Sequence, residues 1–181
     1  MSRLQKKYNK EAVPAMKSKF GYKNDMAVPK IVKVTVNVGV GKMVKEEKRM
    51  ENIARNLTMI AGQKAVPAKA KKSIAGFKLR EGTVVGFMAT LRGRRMYDFL
   101  DRMISVALPR TRDFRGIDPK SFDSRGNLTF GFKEHIVFPE REEGELKDVF
   151  GFEVTVATSA RNKEEGVELL RLMGFPIKKV S

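Results

Sequence analysis

Between residues 31 and 40, apolar and polar positions alternate: Val32, Val34, Val36, Val38 and Val40 against Lys33, Thr35, Asn37 and Gly39. A period of two puts the two sets on opposite faces of a pleated strand. The pattern predicts a strand with its valines inside and Lys33, Thr35 and Asn37 outside. The period then changes. Over 45–61, Met50, Ile53, Leu57 and Ile60 recur at helical spacing and Gly62 supplies a stop. Residues 63–82 are rich in Lys, Gly and Ala, with Pro67 and Gly76 as punctuation, and read as an irregular stretch. Alternation returns over 83–92, with Val85, Phe87, Ala89 and Leu91 against Val84, Gly86, Met88, Thr90 and Arg92.

A helix over about 94–107 turns Met96, Phe99, Leu100, Met103 and Ile104 inward and is expected to end before Pro109. Two further strands are read at 127–133 and 150–158. The last helix, 163–173, opens with Asn162 and Glu165 at capping-box spacing and stops at Gly174 and Pro176. Near the N-terminus, 3–9 and 12–20 read as helix. A break at 10–13 is expected, because Pro14 suits only a first turn. Interleaved helices and one-sided strands describe an α+β fold: a two-layer domain over 1–181, with a mostly antiparallel sheet, helices packed on one face and the other face open for binding. The order of the strands leaves no signature in the pattern.

Charge changes the picture. The 181 residues hold 37 Lys and Arg against 21 Asp and Glu, a net charge of +16. The first 80 residues contain 20 of those cations and 5 of the acids, so +15 of the excess lies there. A solvated surface needs no such asymmetry, and a polyanionic partner does. Cysteine is absent and histidine occurs once, which excludes disulfides, thiolate metal sites, cysteine nucleophiles and histidine triads. No apolar run is long enough to span a membrane, and residues 1–20 lack the apolar core of a secretory signal. The expected location is the cytoplasm.

Candidate chemistry is sparse. Val38-Gly39-Val40-Gly41-Lys42 has glycines and a lysine, but not the glycine spacing or the Ser/Thr of a phosphate loop; it reads as a strand-end turn. His135 has only Glu134 beside it and reads as a surface or strand-end residue. Asp98 and Asp101 read as a solvated helix edge. No nucleophile with a positioned base is visible, so no catalytic residue, metal or cofactor is expected. Phe130-Gly131-Phe132 has the look of an RNA-stacking strand, yet Leu128, Phe130 and Phe132 share one face and read as core. By contrast, Lys64, Lys69, Lys71, Lys72, Lys78 and Arg80 stand without one acid over 64–80, interleaved with Gly76 and Phe77. Cations, free amides and a stackable ring suit an RNA backbone with exposed bases.

Longer stretches then carry a resemblance. Asn37-Val38-Gly39-Val40-Gly41, Ala61-Gly62-Gln63-Lys64, the run from Lys71 to Gly82, Pro109 to Gly116, Ser121-Phe122-Asp123 with Arg125-Gly126-Asn127, and Leu169 to Pro176 resemble the bacterial 5S rRNA-binding ribosomal protein family, large-subunit protein five. The likeness runs in order from about residue 3 to 178. It implies a structural ribosomal role without catalysis, in the central protuberance, with 5S rRNA on the open sheet face. The matching positions are Asn37, Gln63, Phe77 and Thr90; Lys33, Lys64 and Arg92 flank them and complete the candidate 5S set. Asn37 and Gln63 each supply a donor and an acceptor for base edges or sugar hydroxyls.

The resemblance further implies that the loop around 71–82 reaches P-site tRNA, with Lys71, Lys72, Ser73, Gly76, Lys78 and Arg80 as its candidates. It also implies contacts with large-subunit rRNA, with other 5S-binding ribosomal proteins and with a small-subunit head protein. For that bridge the acidic stretch from Glu134 to Asp148 offers Glu140, Glu142, Glu143 and Glu145. A free RNA chaperone or tRNA-binding module would explain the charge but not the full-length likeness. A nucleotide-dependent enzyme would rest on the degenerate glycine turn alone.

Overall fold

The computed structural model describes residues 2–41, 46–77, 79–140 and 149–178. Five strands form one sheet: β1 (Ile31–Gly39), β2 (Val66–Lys69), β3 (Val84–Leu91), β4 (Leu128–Phe132) and β5 (Phe152–Thr158). Their order is β2-β3-β1-β5-β4, and every neighbouring pair is antiparallel. The expected α+β architecture is therefore present, with one strand more than the alternation predicts. β2 lies inside the stretch read as irregular. It is a four-residue edge strand carrying Pro67, and prolines and short lengths are what edges accommodate.

One face of the sheet carries the core. Val34, Val36 and Val38 of β1, Ala89 and Leu91 of β3, Val154 and Val156 of β5, and Leu128 and Phe132 of β4 are buried there. Against them pack Ile53, Leu57 and Ile60 of α3 (Glu47–Ala61), Phe99 and Leu100 of α4 (Gly93–Arg102), and Leu169, Leu170 and Met173 of α6 (Lys163–Met173). Each Val, Leu, Ile, Phe or Met side chain so removed from water contributes about 1.5–3 kcal/mol. Phe130 joins this face, edge-on to Phe132 at 4.8 Å and to Phe114 at 6.1 Å, so the aromatic pair is core as its parity indicated.

Four local expectations are corrected. Val32 is 45% exposed, because a register shift between Ile31 and Lys33 turns it away from the valine row. The N-terminal helices are not broken: α1 (Arg3–Lys7) runs through a π turn, Tyr8–Ala12, into α2 (Val13–Phe20). Likewise, the helix at 94–107 does not stop before Pro109. α4 continues through a second π turn, Met103–Ala107, into α5 (Leu108–Arg110). Proline cannot bond the carbonyl four residues back. In both cases that residue, Lys10 or Ser105, lies in the π turn that absorbs the mismatch. Finally, His135 is 5% exposed, stacked on Phe150 at 4.1 Å and accepting at Nδ1 from the Phe150 amide, so it is a core residue and not a surface one.

The turn before β4 is built on Asp123. Its Oδ1 accepts from the amides of Arg125 (2.9 Å) and Asn127 (2.8 Å), and its Oδ2 from Asn127 Nδ2 (2.7 Å). Desolvation pushes this carboxyl upward, but the three hydrogen bonds and the Arg125 charge outweigh it and hold it below its ordinary 3.8. The folded value lies below the unfolded one. The turn's contribution is therefore full above pH 3.8 and is lost as pH falls through the folded value. An NMR titration should show the Arg125 and Asn127 amides shifting together below that pH. Asp123→Asn should remove the transition.

Candidate nucleic-acid interface

The face opposite the core is assembled by register. Thr35 pairs with Thr90 on one side and Thr155 on the other, and Thr155 pairs with Thr129. Four threonines thus cross β3, β1, β5 and β4 in one line. At the usual strand separation that line is about 14 Å long. The hydroxyl oxygens of Thr129 and Thr155 lie 3.4 Å apart. Each threonine offers both a donor and acceptors, the set that ribose hydroxyls and phosphate oxygens use. The next line reads Val66, Met88, Asn37, Glu153 and Gly131 across all five strands. Asn37 and Glu153 are exposed, and Val66 (58%) and Met88 (38%) are large apolar side chains left in solvent.

Cations border these lines. Lys33 and Arg92 continue the outward parity of β1 and β3 and are exposed, as is Lys64 beside the sheet edge. Gln63 follows the end of α3 at Gly62 and reaches β3. Its Nε2 donates to the Thr90 carbonyl at 3.0 Å, and its Oε1 accepts from Arg95 at 3.3 Å. One amide hydrogen and one lone pair stay available, held in a fixed orientation. The structure therefore places Lys33, Asn37, Thr90 and Arg92 on the outward face by parity, with Gln63 bonded to β3 and Lys64 exposed next to β2.

The sequence reading missed Thr129 and Thr155, whose outward parity was visible but whose neighbours needed the strand order. It also missed Arg95. The signal there was three arginines, 92, 94 and 95, without an acid in the first turn of α4, where the helix dipole disfavours them.

Residues 70–77 and 79–83 extend the β2–β3 pairing as a hairpin arm. The Ala70 amide bonds the Thr83 carbonyl at 2.8 Å, and Ile74 and Leu79 exchange bonds of 3.0 and 3.2 Å. Ser73 Oγ accepts from the Glu81 amide at 2.9 Å, and Ala75–Phe77 make a 3-10 turn at the tip. Lys71, Lys72, Ser73, Gly76 and Arg80 are exposed along the arm. The backbone of Phe77 lies in this tip, not in the sheet lines; its ring and Lys78 lie outside the described residues. In the acidic stretch, Glu140 is half-buried and paired with Arg102 at 3.1 Å, while Arg102 also donates to the Ile60 carbonyl. Glu142, Glu143 and Glu145 lie outside the described residues.

Two family models match the chain: ribosomal protein L5 over residues 24–80, and the C-terminus of the ribosomal L5 family over 84–177. The large ribosomal subunit protein uL5 of Desulfotalea psychrophila is 52% identical over 179 residues, covering 99% of this chain and 100% of that protein. That of Dichelobacter nodosus is 51% identical over 178 residues, covering 98% and 99%. The chain belongs to the ribosomal L5 family. L5 proteins are structural ribosomal components and not enzymes. The boundary between the two L5 models falls between β2 and β3, which are hydrogen-bonded neighbours, and β1 pairs directly with β3 and β5. Both halves of the L5 sequence thus contribute strands to the same open face.

Proposed function

We propose that this L5-family chain is a structural protein of the large ribosomal subunit in the cytoplasm and that its open sheet face binds 5S rRNA. The observation that carries this reading is the face itself. A threonine line and Asn37 lie on the sheet face opposite the buried valine row, bordered by Lys33, Lys64 and Arg92, with Gln63 bonded to β3 beside them. Cations supply the phosphate term, while hydroxyls and amides select sugar and base edges. The arm at 70–83 reaches P-site tRNA with Lys71, Lys72, Ser73, Gly76, Lys78 and Arg80. The acidic stretch meets a basic small-subunit head protein. Large-subunit rRNA and neighbouring 5S-binding proteins complete the surroundings.

Sedimentation tests the reading. The protein should remain with the large subunit and 5S rRNA through a moderate salt wash; release as free protein, or recovery with assorted RNAs, favours a free RNA-binding module. The division between face and arm has its own outcome. Neutralising Lys71, Lys72 and Arg80 together should leave 5S rRNA affinity within about threefold and weaken P-site tRNA retention on assembled ribosomes by about tenfold. Equal losses in the two assays would show that arm and face act as one site.

A further inference from the structure

Glu153 is out of place on an RNA-binding face. It is exposed in the middle strand of the β1-β5-β4 trio, directly opposite Asn37 on one side and Gly131 on the other. Among the described residues no Lys or Arg forms an ion pair with it, although the chain carries a large excess of cations. A free carboxylate there repels phosphate. Unpaired among the described residues, this exposed carboxylate offers two acceptors to a ligand group that donates to it.

The neighbours define that group. Asn37 and Glu153 are facing residues of an antiparallel pair, so their Cβ atoms are about 5 Å apart and both side chains rise from the same face. Met88, beyond Asn37, is an exposed apolar platform. On the other side Gly131 leaves the surface bare. A Cβ built on Gly131, or on Gly39 of the adjoining line, meets nothing within 4 Å, and neither residue needs a left-handed backbone. Packing within the protein does not require glycine at either place, and a bare strand surface is what close approach by a flat ligand requires.

We propose that Glu153 and Asn37 together read the Watson–Crick edge of one unpaired guanine, with Glu153 as the specificity-determining residue. The carboxylate presents two acceptors and the Asn37 amide a donor. Guanine alone among the bases presents the complement, two adjacent donors at N1 and the 2-amino group beside the O6 acceptor. Met88 supports the base plane and Gly131 lets it lie close. The inference rests on the 5S rRNA reading above and names what that face selects.

The test uses the full chain, its Glu153→Gln and Glu153→Ala variants, and a bacterial 5S rRNA transcript sparsely doped with inosine, which lacks the 2-amino group. Both variants should bind about tenfold more weakly than the wild type with an unchanged salt slope, since no phosphate contact is lost. Wild-type binding should be impaired by inosine at one unpaired guanine, and that interference should vanish in both variants. Matching thermal melts confirm that the exposed substitution leaves the fold alone. Equal or tighter binding by the variants overturns the proposal and makes Glu153 a merely repulsive surface acid. Weaker binding with an unaltered inosine pattern also overturns it, assigning the carboxylate to a cation-bridged phosphate. If the wild type itself fails to bind the transcript, the 5S reading fails instead.

Discussion

Gly166→Ala should destabilise the protein by about 3 kcal/mol, the largest effect expected of a methyl added at any described glycine. A Cβ at residue 166 would lie 2.3 Å from the Gly126 carbonyl oxygen and 2.4 Å from the Gly126 Cα. Both are backbone atoms, so no side chain can swing aside. The partner cannot retreat easily either. Gly126 sits at φ +77°, its carbonyl accepts from Thr158 Oγ1 at 3.1 Å, and its neighbour Asn127 accepts from the Thr158 amide at 2.9 Å. Those bonds tie the turn before β4 to the end of β5, while Gly166 lies in the first turns of α6. The N-terminus of α6 is fixed by Asn162, which accepts from the Glu165 amide at 2.9 Å, and by Glu165, which accepts from the Arg161 amide at 2.9 Å. Separating helix and turn to admit a methyl would break this set. Urea unfolding measures the loss. Gly131→Ala, on the open face with free space around it, is the control and should hold stability or raise it by up to about 1 kcal/mol.

Asn37→Ala should weaken 5S rRNA binding by about 10- to 100-fold, or roughly 1–3 kcal/mol, with no change in unfolding midpoint, because its exposed amide makes no bond within the described protein. Gln63→Ala should lose a similar amount of affinity and about 1 kcal/mol of stability as well. Its amide bonds the Thr90 carbonyl and orients Arg95, so truncation frees both. The two variants therefore separate recognition from scaffold: affinity falls in both, stability in one. Filter binding over a salt series supplies the check, and neither variant should alter the salt slope, which reports phosphate contacts. A normal affinity in Asn37→Ala would remove the centre of the proposed face.

Much of this was legible in the residues. Strict alternation over 31–40 and 83–92 located β1 and β3 and put Asn37 and Thr90 outside. Capping-box spacing located the start of α6. The arm's cations were visible as charge without compensation. Elements whose signal was cancelled locally were missed. β2 is four residues long and contains Pro67, so neither period nor composition marks it. Pro14 read as the first turn of a new helix and Pro109 as a helix stop because the pattern cannot show that a π turn will absorb the lost bond. Val32 had the right parity, and the register shift beside it has no residue signature. The lines across the open face were illegible for a different reason. Thr35, Thr90, Thr129 and Thr155 are each outward by parity, but only the order β3-β1-β5-β4 makes them neighbours, and that order is set by long-range pairing.

The threonine line also offers the most direct measurement of the central claim. Methyl NMR of the protein titrated with 5S rRNA reads the two faces of one sheet in a single experiment. The γ2 methyls of Thr35, Thr90, Thr129 and Thr155 should shift or broaden on binding, while the methyls of Val34, Val36, Val154 and Val156, on the buried side of the same strands, should stay in place. Binding that leaves the four threonines unmoved and perturbs residues elsewhere would contradict the assignment of 5S rRNA to the open face.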